Sequence, residues 1–314
     1  MADAVLAIDI GGTKLAAGVV DAAGTMRART EVPTRAAEGL EPVLGRIIDL
    51  GRETLARAEG SGLAVQRIGV GCAGPVDRQR GMVRNPPNLP GWEQVPLRER
   101  IRAVFGLPTI LENDANAAAL GEYRYGAGRG AGSLVYYTVS TGIGGGIVLG
   151  GRLWHGFADA AGEVGHMTVQ PDGPRCGCGN RGCLEAVASG PSMVRRAREA
   201  LQAGRTSRLG SRPDFTAREL AAAVREGDEL AAEIWSEAVR CLGIGVAAVI
   251  NILAPERIVI GGGISRAGDL LFAPLRDEVR RRVKLPPLES IPILPAALGP
   301  DVGILGAAAV ALDG

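Results

Sequence analysis

The stretch Ala4–Asp21 reads AVLAIDIGGTKLAAGVVD. Its first seven residues are an apolar run that predicts a buried strand, GGTK predicts a tight turn, and LAAGVVD predicts a second strand. The layout returns at Ser133–Trp154, SLVYYTVSTGIGGGIVLGGRLW, where strand, glycine turn and strand recur with different residues. Two copies of one strand-turn-strand unit imply two related α/β halves. Elsewhere, Leu40, Val43, Leu44, Ile47, Ile48 and Leu55 recur at helical spacing across Leu40–Ala58. VQRIGVGCAG (Val65–Gly74) predicts another buried strand, and LENDANAAALGEYRYG (Leu111–Gly126) a strand running into a helix. Further helices are expected at Ser189–Ala203, Ala217–Val224, Glu229–Val249 and near Ala267–Arg282, with a strand at Arg257–Gly263. A short terminal helix, Val302–Leu312, has Asp301 as its expected N-cap. The arginine-rich stretch Gly204–Pro213 reads as a surface loop.

The chain has 314 residues, enough for two domains sharing a cleft. Its 35 Lys and Arg balance 34 Asp and Glu, which argues against a partner held through a phosphate backbone. No nucleic-acid partner is expected. The opening MADAVLAIDI lacks the basic region and cleavage site of a signal peptide. The apolar run Val246–Ala254 is too short to span a bilayer. These features predict a soluble, cytoplasmic protein without a membrane partner. The five cysteines do not suggest a disulfide framework in a chain of this size.

Three glycine-rich turns each follow an apolar strand: Asp9–Lys14 (DIGGTK), Ser140–Gly146 (STGIGGG) and Ile260–Ser265 (IGGGIS). Glycine lets backbone N–H groups converge on an anion, and Thr13 or Thr141 adds a hydroxyl donor. Asp9, at the end of its strand, suits a hydrated Mg²⁺ beside phosphates. Any one of these turns alone would read as an ordinary hairpin; three together favour nucleotide binding. GVGCAG at Gly69–Gly74 fits the dinucleotide fingerprint, but PVDRQRGM follows instead of a helix. Lys14 lacks the spacing of a Walker A loop.

His166, Cys176, Cys178 and Cys183 form a Cys3His set, and a closed tetrahedral set of that kind implies a structural Zn²⁺. Gly177, Gly179 and Gly182 supply the turns needed to wrap three sulfurs round one ion; a reactive thiol pair or buried small hydrophobes are the alternatives. Glu163 and Glu185 flank the set. Pinned by the ion, their carboxylates suit a polyhydroxylated ligand, and His166 can bind metal through one nitrogen and donate to a sugar through the other. Solvated surface glutamates are the competing reading. Cys72 and Cys241 read as core fillers, and His155 as a surface or packing residue.

DIGGTK, ENDANAAALGE, STGIGGGI, AGEVGH, CGCGNRGCLE and IGGGIS, taken together and in this order, resemble the ROK family of sugar kinases and sugar-responsive repressors, its glucokinases most of all. The resemblance implies an α/β, actin-like (ribonuclease H-like) fold of two domains flanking a deep cleft. It implies a small domain, 1–114, onto which helix 302–314 packs back, and a large domain, 115–301, bearing the zinc loop. It also implies a homodimer or homotetramer. By the same resemblance, Asp9, Gly11, Gly12, Thr13 and Lys14 form the first phosphate motif, Thr141, Gly142 and Gly144 the second, and Gly261, Gly262 and Gly263 the adenosine-side turn. Asn88, Asn113, Asp114, Glu163, His166 and Glu185 match the sugar contacts, and Asp114 the catalytic base. The expected activity is ATP- and Mg²⁺-dependent phosphorylation of a hexose, D-glucose at its 6-hydroxyl. N-acetylmannosamine, N-acetylglucosamine and fructose are alternative acceptors, and polyphosphate an alternative donor. A sugar-responsive regulator would carry an N-terminal helix-turn-helix, whereas here the first strand begins by Val5. An actin-like filament would leave the zinc loop without purpose.

Overall fold

Continuous rather than alternating hydrophobicity marks a strand covered on both faces, and β1 (Ala2–Ile10) behaves that way: Ala4 to Ile8 and Ile10 are all shielded from solvent. The computed structural model describes residues 2–60, 62–212, 214–285 and 287–313. Met1, Pro213 and Gly314, at the limits of the expected first domain, surface loop and terminal helix, lie outside the described residues.

Contacts divide the chain into two compact units, Met1–Ala131 with Gly146–Ala161 and Ala297–Gly314, and Gly132–Gly145 with Gly162–Ala296. In the first, β1 pairs antiparallel with β2 (Lys14–Asp21), and β2 with β3 (Met26–Pro33). After helix α1 (Leu40–Ala58), β4 (Leu63–Cys72) joins β1 in parallel. The short hairpin β5 (Val76–Asp77) and β6 (Met82–Val83) and helix α2 (Leu97–Phe105) precede β7 (Thr109–Asn113), which is parallel to β4. Helix α3 (Asp114–Tyr125) follows directly. The sheet order is β3-β2-β1-β4-β7.

The second unit holds β8 (Ser133–Val139) and the start of β9 (Ile143–Leu149). From Gly146 on, β9 counts with the first unit, where it pairs with β10 (Arg152–Leu153). Helices α4 (Leu184–Ala188), α5 (Gly190–Gln202), α6 (Ala217–Arg225) and α7 (Glu229–Leu253) come next. Then come β11 (Arg257–Gly261), helix α8 (Asp269–Arg282) and β12 (Ile293–Pro295). Here β9 neighbours β8, β8 pairs in parallel with β11, and β11 with β12. Each sheet thus sets three consecutive strands, β3-β2-β1 or β10-β9-β8, beside two parallel ones. Helix α7 is long and apolar enough by composition to cross a membrane, but Trp235, Leu242, Val246 and Ile250 are buried and it packs on α4, α5, α6 and α8.

One face of the first sheet buries Leu6, Ile8 and Val70 with Ile47 and Leu50 of α1. The other buries Val5, Ala7 and Ala16 under helix α9 (Val302–Asp313), through Ile304, Ala307 and Ala311. The units differ from the expected division after residue 114. Helix α3 belongs with the first unit because it packs along α9, so closely that a Cβ on Gly306 would fall 2.4 Å from the Ala117 carbonyl oxygen. Asp301, expected to cap α9, instead ends a 3-10 turn, Gly299–Asp301, and its carboxylate accepts from Arg29 at 2.7 Å. The expected loop at Gly204–Pro213 contains a 3-10 turn, Arg208–Ser211, anchored by buried Leu209.

Because overpacking costs up to about 3 kcal/mol where backbone cannot yield, Gly306→Val should lower stability by about that much in urea denaturation. An effect under about 0.5 kcal/mol would contradict the close approach of α3 to α9.

Candidate functional site

The expected residues fall into two groups, one in each unit. In the first, the turn between β1 and β2 is closed by the Gly11 N–H donating to the Lys14 carbonyl at 3.0 Å. Thr34, fully buried, braces it: its N–H donates to Thr13 and its hydroxyl to Gly11. No sequence signal points to Thr34, because it comes from the far end of β3. Gly12 cannot carry a side chain, since a Cβ would lie 2.5 Å from that of Asn88. The loop bearing exposed Asn88 is thereby seated on the turn, with Leu89 and Trp92 buried beneath it. Lys14 does not point its charge at the turn alone; its Nζ lies 3.2 Å from Glu31.

Asp9 lies in β1, two residues before the turn, with its carboxylate against Gly303 near the start of α9. Burial, then the charge of Asp114, push its pKa up to about 7, with Lys14 opposing. A carboxyl so destabilised when ionised is suited to a cation. Asn113 caps α3, its side-chain oxygen accepting from Ala115 and Asn116. Its Nδ2 donates to Gly74 at 3.2 Å, so one N–H remains to reach a ligand hydroxyl. Asp114, half-buried, is the first residue of that helix.

In the second unit, the Ser140 N–H donates to the Gly142 carbonyl at 2.9 Å, and β9 starts at once. Gly144 therefore lies in a strand, not in the turn where the sequence put it. Glu185, on α4, accepts from the Ile143 N–H at 2.8 Å. It approaches so closely that a Cβ on Gly142 would fall 2.6 Å from its oxygen. Gly190, at the start of α5, donates to Ser140 at 2.9 Å. The second turn is thus bound on both sides by the segment that leaves the cysteine cluster. Gly261 ends β11, and Gly262, at φ 84°, turns the chain where a Cβ would strike the Val139 carbonyl.

His166, Cys176, Cys178 and Cys183 bring one ligand atom each to within 4.8 Å of one another. Short antiparallel bridges, Thr168 to Cys183 and Arg175 to Arg181, fold the segment on itself. Gly182, at φ 68°, sits where a Cβ would be 1.4 Å from the Gln170 oxygen. Cys178 and Cys183 sulfurs are 3.7 Å apart, and Cys176 Sγ lies 3.6 Å from His166 Nδ1. A tetrahedral ion with Zn–S of about 2.3 Å requires sulfurs about 3.8 Å apart, so the donor set fits Zn²⁺. Burial pushes the Cys183 thiol up to about 12 and raises Cys176, while the Asn180 N–H lowers Cys178. Three packed thiols resist ionising together unless a cation compensates them. The other imidazole nitrogen, Nε2, lies 3.8 Å from exposed Glu163.

Also within the second unit, a pocket of about 820 Å³ joins Ser140 and Thr141 to Gly263 and Ile264. Its size suits a nucleotide-sized ligand. Phe215, Val194 and Trp235 give it apolar walls, and Arg218, Arg225 and Arg266 contribute charge. Sequence reading missed these residues. The Thr216–Glu219 capping box marks where α6 begins, but nothing in the sequence ties Phe215 to the glycine turns.

The sequence model described as the ROK family matches residues 5–314. A glucokinase of Thermotoga maritima is 40% identical over 309 residues, 97% of this chain and 96% of that protein. The crystal structure of a ROK hexokinase from Thermus thermophilus is 38% identical and superposes with a TM-score of 0.84, covering 98% of this chain and 97% of that one. The crystal structure of a ROK family glucokinase from Streptomyces griseus in complex with glucose and AMPPNP is 37% identical, with a TM-score of 0.82 over 99% and 100% of the two chains.

Asp9 and the cysteine cluster each give a measurable consequence. With its pKa raised from 3.8 to about 7, Asp9 binds a proton more tightly in the folded than in the unfolded chain. That contribution to stability is present below about pH 4 and is lost as pH rises to about 7. In metal- and nucleotide-free buffer, Asp9→Asn should therefore melt above the parent by a margin that widens from pH 5 to pH 8. A margin independent of pH would contradict the assignment. Protein purified under reducing conditions should contain about one zinc per chain, and Cys176→Ser should lose most of it; full retention in that variant would remove Cys176 from the ligand set.

Proposed function

This chain belongs to the ROK family, and we propose that it transfers the terminal phosphoryl group of ATP to a hexose, D-glucose at its 6-hydroxyl. The observation that carries this reading is the pocket joining Thr141 to Gly263, which unites two separate glycine turns on one nucleotide-sized space. In the proposed reaction, the N–H groups of the turns at Gly11–Thr13 and Thr141–Gly142 cradle phosphate oxygens. Asp9 would hold hydrated Mg²⁺, which supplies charge neutralisation on the transferring phosphates.

On the sugar side, Asn88, Asn113, Glu163, His166 and Glu185 hold hydroxyls. The ionised glutamates accept strong charge-assisted bonds, and Glu185 keeps one oxygen on Ile143 while the other remains for the ligand. His166 donates from Nε2 with its tautomer fixed if Nδ1 serves the zinc. Asp114 acts as base. A carboxylate cannot strip a sugar hydroxyl in the ground state, since their ordinary pKa values lie about twelve units apart. It need not: the transition state is loose, so Asp114 orients the oxygen and accepts its proton as the bond to phosphorus forms.

Coupled ADP-release assays with a panel of hexoses and N-acetylhexosamines, using ATP and polyphosphate in turn, test the reading. Glucose with ATP should give the highest kcat/KM, and no sugar-dependent ADP release with any of them would sink the proposal. Asp114→Asn should lower kcat by about 10²–10⁴ while glucose still binds; near-parental turnover would remove Asp114 from the mechanism.

A further inference from the structure

Glu112, the residue before Asn113 and Asp114, is 1% exposed and yet carries a carboxylate. Both its oxygens are fully engaged. Oε1 accepts from the Asn113 N–H at 3.0 Å and from Asn116 Nδ2 at 3.1 Å. Oε2 lies 2.7 Å from Arg78 Nε and 2.8 Å from His155 Nε2. The Arg78 contact is an ion pair rather than an aligned hydrogen bond, and the partners come from three separate parts of the first unit: the segment after β5, the segment after β10, and the start of α3. His155, which the sequence suggested was a surface or packing residue, is half-buried and partners a buried carboxylate.

The cluster extends outward. The Arg78 N–H donates to Asp159 Oδ2 at 3.1 Å, and its Nη1 lies 3.7 Å from Oδ1 of the same carboxylate. The Arg78 carbonyl in turn accepts from Arg98 at 2.9 Å. Asp159 and its neighbour Ala158 both have left-handed backbone, at φ 60° and 54°, a conformation that non-glycine residues hold only when their surroundings compel it. Secondary structure does not demand this expenditure. Helix α3 is already capped by Asn113, and an apolar residue at 112 would spare the desolvation of a buried charge. What the carboxylate does fix is direction: it holds the peptide N–H of Asn113 and, through Asn116, the first turn on which Asp114 stands.

We propose that Glu112, clamped by Arg78 and His155, is a positioning residue that sets the orientation of Asn113 and Asp114 toward the phosphoryl-accepting hydroxyl. The proposal rests on the reading of Asp114 as the base and adds three residues that touch neither substrate. Loss of the clamp lets the first turn of α3 rotate while the helix and the sheet persist. Misplacement of a reacting group by about 1 Å can cost roughly 100-fold in rate.

Steady-state kinetics on Glu112→Gln, Arg78→Met, His155→Leu and His155→Gln test this. Glu112→Gln and His155→Leu should each lower kcat/KM for glucose by about 10- to 100-fold, with KM for glucose raised several-fold. KM for ATP should stay within about twofold, since the proposed nucleotide pocket is lined by other residues. His155→Gln, which keeps a side-chain N–H donor, should recover most of the loss. The Arg78→Met, His155→Leu double variant should lose far less than the product of the single losses, because the two act on one oxygen. A purely structural role would instead lower the amount of active protein, leaving both KM values at the parental level, and that result overturns the proposal. Parental kcat/KM in Glu112→Gln also overturns it. If one variant fails to fold, the others decide by the same criteria. A parent protein without glucose-dependent ADP release overturns the functional reading and this proposal together; an active parent with unaffected variants overturns only this one.

Discussion

Three thiols and an imidazole within 4.8 Å of one another are an arrangement that packing alone does not favour. Burial raises Cys183 and Cys176, and the sulfurs gain little from each other until a cation takes their charge. A structural Zn²⁺ bound by such a set contributes on the order of 10 kcal/mol or more, enough to order a glycine-rich loop that has almost no core of its own. The folded loop delivers Cys183 to the start of α4, where Glu185 stands two residues on and accepts the Ile143 N–H. Gly190 then closes on Ser140. Through this path the cysteine cluster sets the geometry of the second glycine turn, and with it one wall of the pocket beside Thr141. The ion we assign thus holds no open position for a reactant, and acts by setting where the residues around it stand.

In the first unit the corresponding turn is braced by side chains. Its turn is held by Thr34 and by the seat that Gly12 offers Asn88. The start of α3 is held by Asn113 as cap and by the saturated carboxylate of Glu112. Glycine serves these contacts by absence: at Gly12, Gly142 and Gly182 the neighbouring chain occupies the volume a side chain would need. The cost is carried by Asp9, whose ionisation is opposed by burial and by Asp114. Such strain is expected where charge is to be received rather than where the fold is to be stabilised.

Much of this was legible in the sequence. Ala4–Asp21 announces its hairpin because apolar runs and glycine punctuate at strand length, and the echo at Ser133–Trp154 reveals that each half repeats one topology. The Cys3His set is legible because cysteine spacing is rare enough to carry meaning. What stayed hidden depends on partners far along the chain. Thr34, Phe215, Arg78 and His155 are ordinary residues until the fold sets them beside Gly11, Thr141 and Glu112. The turn at Ser140–Gly142 is shorter than its glycines suggested, since Gly145 and Gly146 serve close packing against Val164 and Ala119 rather than turning the chain. The boundary between units was displaced for a similar reason: the small residues along α3 read as a helix but not as a surface fitted to α9.

Hydrogen exchange before and after removal of the bound metal tests the central claim most directly. If the ion orders the second glycine turn through Glu185, its loss should speed exchange of the Ile143, Leu184 and Gly190 amides at least roughly tenfold. Amides of β1 and β4 should stay protected. Unchanged protection at Ile143 and Gly190 in fully metal-free protein would contradict the account.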